Sequence, residues 1–217
     1  MVFFPEQSFC AGPHVVVRDL TLQNKPVTAL LDACVLAGLF KRKLLLSFAQ
    51  AGLFRPVWSA HILAETISAS RRIYETSNTG LSLDEVERQL STMQAKFPDA
   101  LVLSTVEHAE LTLPDPNDHH IVAAALVANA TLIVTDNGAD FPRKMMKTFD
   151  IDIVSADEFL TRLATDHVER TLSAIETMAV EMVDIASSRE EFFDKMMRAG
   201  LKKTARFLRE HEKPLTR

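Results

Sequence analysis

The sequence predicts an α/β fold: three α/β/α layers around a mostly parallel central sheet, followed by C-terminal helices. Two observations predict it. The runs PVTALLDACVL, TLIVT and IDIV are apolar over strand length, the pattern of strands buried on both faces of a parallel sheet. Between them lie longer segments with helical spacing of apolar residues, several opened by capping signals. Strands alternating with helices make βαβ units.

Taken in order, residues 1–26 mix polarity without a sustained period and form an N-terminal extension. The first strand follows, with Asp32 near its C-terminal end, and residues 39–51 read as a helix. After GLFRPVWS a helix begins with Ser59 as N-cap, placing Ile62, Leu63, Ile67 and Ile73 on its inner side and Glu65 about two turns in. SLDE is a capping box of Ser82 with Glu85, and Val86, Leu90, Met93 and Phe97 then recur at spacings of four, three and four on one helical face. ALVLS makes a short strand. In DPND, Asp115 can cap, Pro116 takes the first helical position and Asp118 the capping-box place, and the helix runs to about Asn129. TLIVT and IDIV are the remaining strands, and SADE opens a helix at Ser155 with Glu158 three residues on.

From about residue 166 the alternation stops. ERTLSAIETMAVEMVDI and SREEFFDKMMRAG are amphipathic helices, the second ending at Gly200 as a C-cap. Residues 197–217 carry seven Lys or Arg against Glu210 and Glu212. We therefore expect a principal domain over residues 27–165 and a C-terminal helical extension, 166–217, packed on it or on a partner.

At 217 residues with 47% hydrophobic content the chain can bury one sizeable core. A net charge of −5 does not advertise nucleic acid, so a nuclease would need local positive charge. No apolar run approaches the roughly 18–20 residues of a membrane span. The start, MVFFPEQSFCAGP, carries Glu6 and no basic region, unlike a secretory signal. Cys10 and Cys34 make neither a metal spacing nor a disulfide framework, which suits a reducing compartment, and a cytoplasmic location is expected.

In parallel α/β sheets ligands bind beyond the carboxyl ends of the strands. Asp32 ends the first strand, Asp136 and Asn137 follow LIVT, and Asp118 opens the helix that feeds that strand, so separate segments can deliver carboxylates to one edge. Glu65 would join from its helix. Carboxylates held together repel one another unless a cation neutralises them. An all-oxygen cluster suits Mg²⁺ or Mn²⁺, and such an ion with its water ligands serves phosphodiester hydrolysis. Each acid also has a structural reading: Asp115 above all as a helix cap, Asp118 as a capping-box acid, Glu65 as a solvated helix residue. Asp32 resists such a reading, because an acid inside ALLDACVL is costly unless paired or metal-bound.

His119 and His120 would point about 100° apart on a helix, and without an HExxH motif or a further His at ligand spacing they do not make a zinc site. Contact of one with a substrate phosphate is the functional alternative to a surface role. A dehalogenase-like fold wants a second Asp where Cys34 stands, and a receiver domain wants an acidic pair where LLDAC offers one acid. No P-loop, GxGxxG turn or GxSxG elbow occurs.

The segments LLDACVL, PVWSAHILAETI, LPDPNDHHIVAAALVANATLIVTDNGADFP and IDIVSADEFL, in this order over roughly residues 27–163, resemble the successive blocks of PIN domains. The likeness is in particular to bacterial PIN proteins of the VapC toxin type. It implies a Mg²⁺- or Mn²⁺-dependent endoribonuclease acting on RNA and encoded with an antitoxin protein that occludes its active site. Carried over, the first acid is Asp32, the second Glu65 and the third Asp118, which stands before the alanine-rich helix. At the usual fourth position stands Asn137, flanked by Asp136 and Asp140, and Asp140 before Phe141 matches relatives with Asn there. Thr135 matches the Thr that commonly ends the strand, and Cys34 stands where relatives often have Asn or Ser. Helices after DEFL also occur in one larger branch of these proteins.

On that reading Asp32, Glu65 and Asp118 hold the ion with help from Asn137, Asp136 or Asp140, and hydrolysis leaves a 3′-hydroxyl and a 5′-phosphate. Thr135, Arg71, Arg72 and Arg143 are the candidate substrate contacts, with Lys41, Arg42, Lys43, Lys144 and Lys147 as further basic groups. PIN proteins often dimerise, and Phe192, Phe193, Met196 and Met197 would serve a homodimer, an antitoxin, or simply the core. Two other functions fit the same residues. One is an inactive PIN-like binding or scaffold protein whose fourth acid has become Asn137, the other a housekeeping RNA-processing nuclease without an antitoxin.

Overall fold

The structure is a computed structural model that describes residues 26–77, 83–103, 113–181 and 188–211. Its strands are β1 (Val27–Leu31), β2 (Phe54–Ser59), β3 (Leu101–Val102), β4 (Leu132–Val134) and β5 (Asp152–Val154). They form one five-stranded sheet in the order β3-β2-β1-β4-β5, and every pairing is parallel. Leu30 and Leu31 are adjacent and so face opposite sides of the sheet, yet both are fully buried, as are Ile133 and Val134. Helices therefore flank both faces, as the apolar runs predict.

The helices are α1 (Ala33–Leu36), α2 (Leu39–Gln50), α3 (Ala60–Ser77), α4 (Leu83–Lys96), α5 (His119–Val127), α6 (Arg143–Thr148), α7 (Ala156–Asp166), α8 (Val168–Glu181), α9 (Arg189–Arg198) and α10 (Lys202–His211). Two predicted caps form: Ser59 Oγ accepts the Ile62 N–H at 3.2 Å and Ser155 Oγ the Glu158 N–H at 3.2 Å. The proposed Ser82 cap, and residues 1–25 of the N-terminal extension, lie outside the described residues.

Several elements differ from the sequence reading for identifiable reasons. PVTALLDACVL is two elements, because the strand ends at Leu31 and α1 begins at Ala33, with Asp32 still extended at φ −74° and ψ 156°. FRPVWS is a strand despite its proline. Pro56 sits where β2 is paired with β1 alone, since β3 joins only at Trp58 and Ser59, so a missing donor on the open side costs little. Ile73 is 42% exposed; the buried stripe of α3 runs at spacings of four through Ile62, Thr66 and Ser70, which leaves Ile73 off it. DPND starts as a 3-10 turn, Pro116–Asp118, capped by Asp115, whose Oδ1 accepts the Asn117 N–H at 2.9 Å. The helix that follows ends two residues before Asn129, which takes a left-handed φ of 51°.

The C-terminal helices share the core of the α/β body. Met178, Phe192, Phe193, Met196, Leu201 and Leu208 belong to the same buried cluster as Leu30 and Leu44, and Phe192 meets Phe40 of α2 edge to face, ring centroids 5.4 Å apart. Of the apolar residues considered for docking, Phe192, Phe193 and Met196 are thus spent inside, while Met197 is 42% exposed. The helix α10, read from the sequence only as a basic tail, lies along α7 and buries Thr204, Ala205 and Leu208.

Candidate active site

After β1 the chain builds outward through β2 and β3, then returns to place β4 on the other side of β1. The gap beyond the carboxyl ends of β1 and β4 is the switch point at which such sheets bind ligands. Asp32 stands there, only 5% exposed, its N–H bonded to Val134 O at 3.1 Å. Its Oδ2 accepts the Thr135 hydroxyl at 2.6 Å and the Cys34 thiol at 3.0 Å, and neither bond uses Oδ1. The Thr135 hydroxyl in turn accepts the Asn137 N–H at 3.0 Å, and Cys34 Sγ accepts that of Asp136 at 3.2 Å. Burial, and after it the Asp32 charge, push the Cys34 thiol up to about 12, so it acts as a donor and not as a nucleophile. Thr135, 1% exposed, orients Asp32 and the loop after β4.

Asp118 ends the 3-10 turn before α5 and makes no capping hydrogen bond to that helix. Its carboxyl is pushed up to about 6, first by burial and then by the negative charges of Asp115, Asp140, Asp32 and Glu65. Three further acids picked out by sequence, Asp32, Glu65 and Asp140, thus lie near enough, on separate segments, to act on Asp118. Asp136 is engaged elsewhere: Lys41 binds its Oδ2, and its Oδ1 accepts the N–H of Ala156 at the start of α7 at 3.3 Å.

Glu65 has neighbours that its sequence segment does not suggest. Its Oε1 lies 3.3 Å from His120 Nε2 and 3.9 Å from His61 Nε2, and the two imidazoles stack at 3.8 Å with planes 20° apart. Burial lowers the His120 pKa despite the adjacent Glu65 charge. His120 Nδ1 is buried without a hydrogen-bond partner among the described residues, so no contact there pins the tautomer. His61 was overlooked; the signal was the i,i+4 spacing of His and Glu in HILAE, read beside the later DHH.

The basic groups divide into structural and accessible ones. Arg42 is buried, its guanidinium donating to Leu36 O at 2.7 Å and Gln89 Oε1 at 2.6 Å, and burial lowers its pKa. Arg71 is exposed and bonded to Glu75 at 2.8 Å; Arg72, Arg143, Lys144 and Lys147 are exposed.

An open parallel α/β sheet whose switch point gathers carboxylates from several segments defines an acid-centred site suited to a divalent cation. Oxygen donors, with a carboxyl raised by burial and then by its neighbours' charge, are the donor chemistry that a hard cation satisfies. The sequence model of the PIN domain matches residues 28–139, more than half of the chain, and the chain belongs to the PIN domain family. Membership suggests a nuclease that works with a divalent metal. No curated protein and no solved structure shows a significant match. Among the described residues no helix is long and apolar enough to cross a membrane.

Proposed function

We propose that the chain is a metal-dependent endoribonuclease, the toxin of a VapC-type toxin–antitoxin pair, with Asp32, Glu65, Asp118 and Asp140 as its acids. The observation that supports it most is Asp32, nearly buried at the carboxyl end of β1 and held through Oδ2 by Thr135 and Cys34; the Asp118 carboxyl, raised by burial first and then by Asp115, Asp140, Asp32 and Glu65, agrees with it. Asp140 takes the fourth place in this reading, since it acts on Asp118 while Asp136 is held by Lys41 and the start of α7. Mg²⁺ or Mn²⁺ would be held by these acids; when bound, it supplies positive charge to the phosphoryl oxygens and an acidified water.

The chain's own residues prepare that chemistry. Thr135 and Cys34 fix Asp32 through Oδ2, and the Thr135 bond to Asn137 sets the loop that carries Asp140. Arg143 and Lys144, exposed at the start of α6 just beyond Asp140, supply the positive charge that an acidic protein needs to hold an RNA phosphate. The toxin role, the antitoxin and the RNA substrate rest on the order of the four sequence blocks. The unit proposed is residues 27–165, completed by the helices of 166–217.

The test is cleavage of a mixed pool of structured RNAs by purified protein in Mg²⁺ or Mn²⁺ against EDTA. Metal-dependent cleavage is expected, and Asp32→Asn and Asp118→Asn should each lower it by about 100-fold or more. Wild-type rates in either variant would defeat the assignment of acids, and no cleavage in any metal would favour the scaffold reading.

A further inference from the structure

We propose that His61, Glu65 and His120 form a transition-metal site in their own right, taking a nitrogen-preferring divalent ion of the Zn²⁺ or Co²⁺ class beside the acidic crevice. Two imidazoles and one carboxylate are a ligand set that holds zinc with a fourth position open to water or substrate. It shares Glu65 with the acidic set but differs from it in kind, because imidazole suits borderline metals and gives Mg²⁺ no advantage.

The geometry is close to what such an ion needs. The His61, Glu65 and His120 donor atoms all lie within 4.8 Å of one another, and one pair, Glu65 Oε1 and His120 Nε2, is at 3.3 Å. Ligands about 2.0–2.1 Å from a tetrahedral ion stand roughly 3.3 Å apart, so one edge already fits and the others must close by at most about 1.5 Å. His61 can supply that movement, since its side chain is 61% exposed. Helical spacing keeps His61 and Glu65 on one face of α3, while His120 enters from the first turn of α5. This inference goes beyond the nuclease reading, with which it shares only Glu65, and is argued from the coordination geometry.

Co²⁺ added to EDTA-stripped full-length protein is the probe, read by visible absorption. One equivalent should produce the intense band of four- or five-coordinate Co²⁺, displaced by one equivalent of Zn²⁺ but not by one equivalent of Mg²⁺. His61→Ala, at an exposed position, should weaken Co²⁺ binding by at least about 100-fold, since losing even an outer-shell partner of a ligand costs about 10–100-fold. His120→Gln, once its circular dichroism matches wild type, should do the same, whereas the neighbouring His119→Ala and the acid-site Asp32→Asn should keep the band. No band, a band unchanged in His61→Ala, or a band lost in Asp32→Asn would overturn the proposal. An intact band in a protein that cleaves no RNA would sink the nuclease reading and leave this one standing.

Discussion

At the scale of the residue, the site is a balance of like charges. Asp118 is held with its carboxyl raised to about 6, by burial first and by four other acids after it. A raised carboxyl binds its proton more tightly in the folded state, so its penalty is absent below the unfolded value near pH 4 and complete above about pH 6. Asp118→Asn should therefore raise the melting temperature of EDTA-treated protein at pH 7.5 and leave it nearly unchanged at pH 4. An equal shift at both values would mean that the gain is not electrostatic. Thr135 presents the opposite case, a buried hydroxyl that satisfies both Asp32 and the Asn137 N–H. Thr135→Val conserves shape and strands both partners, which should cost about 1–3 kcal/mol in urea unfolding. A loss below about 0.5 kcal/mol would mean that water replaces it. Asp32 was legible in the sequence because an acid in an apolar strand demands a reason. His61 was not, because what makes it notable is His120, 59 positions away and on another helix.

At the scale of the element, the C-terminal helices are tied to the site's own scaffold. Asp157, in the first turn of α7, accepts the N–H groups of Lys203 and Thr204 at 2.9 Å each and the Thr204 hydroxyl at 2.9 Å, so it caps α10 from another helix. The neighbouring Ala156 N–H binds Asp136. One helix start thus joins the loop after β4 to α10. Asp157→Ala should cost about 1–2 kcal/mol, the usual scale for losing a cap, and should speed amide exchange in α10 before it does so in β1. Uniform loss across the fold would argue that α10 is not separately held. The tie was invisible in the sequence, where Asp157 reads as an acid in its own helix's first turn. The strand β2 was missed for a different reason: Arg55 and Pro56 break its apolar pattern, and only the local absence of β3 makes the proline harmless. The helix α10 escaped because its charges were counted and its apolar stripe, Leu201, Ala205 and Leu208, was not.

At the scale of the whole molecule, the fold class was legible because burial on both faces is written directly into β1 and β4, while the relation between the body and the tail was not. Met178, Phe192, Phe193, Met196, Leu201 and Leu208 all lie in the one buried cluster, against residues of α2 and α7 that also line the sheet. Burying six such side chains contributes roughly 9–18 kcal/mol gross, at about 1.5–3 kcal/mol each, which is as large as the net stability of about 5–15 kcal/mol expected of a whole domain. The family match stops at residue 139, well before these helices, so they lie outside the recognised unit yet inside its core. Full-length protein should melt in a single transition, and a chain ending at Asp166 should lose its cooperative melt and bind a hydrophobic dye. A truncated chain that melts as sharply as the full one, within a few degrees, would make 166–217 a separate appendage and leave its buried phenylalanines without a role in holding the sheet that carries the acids.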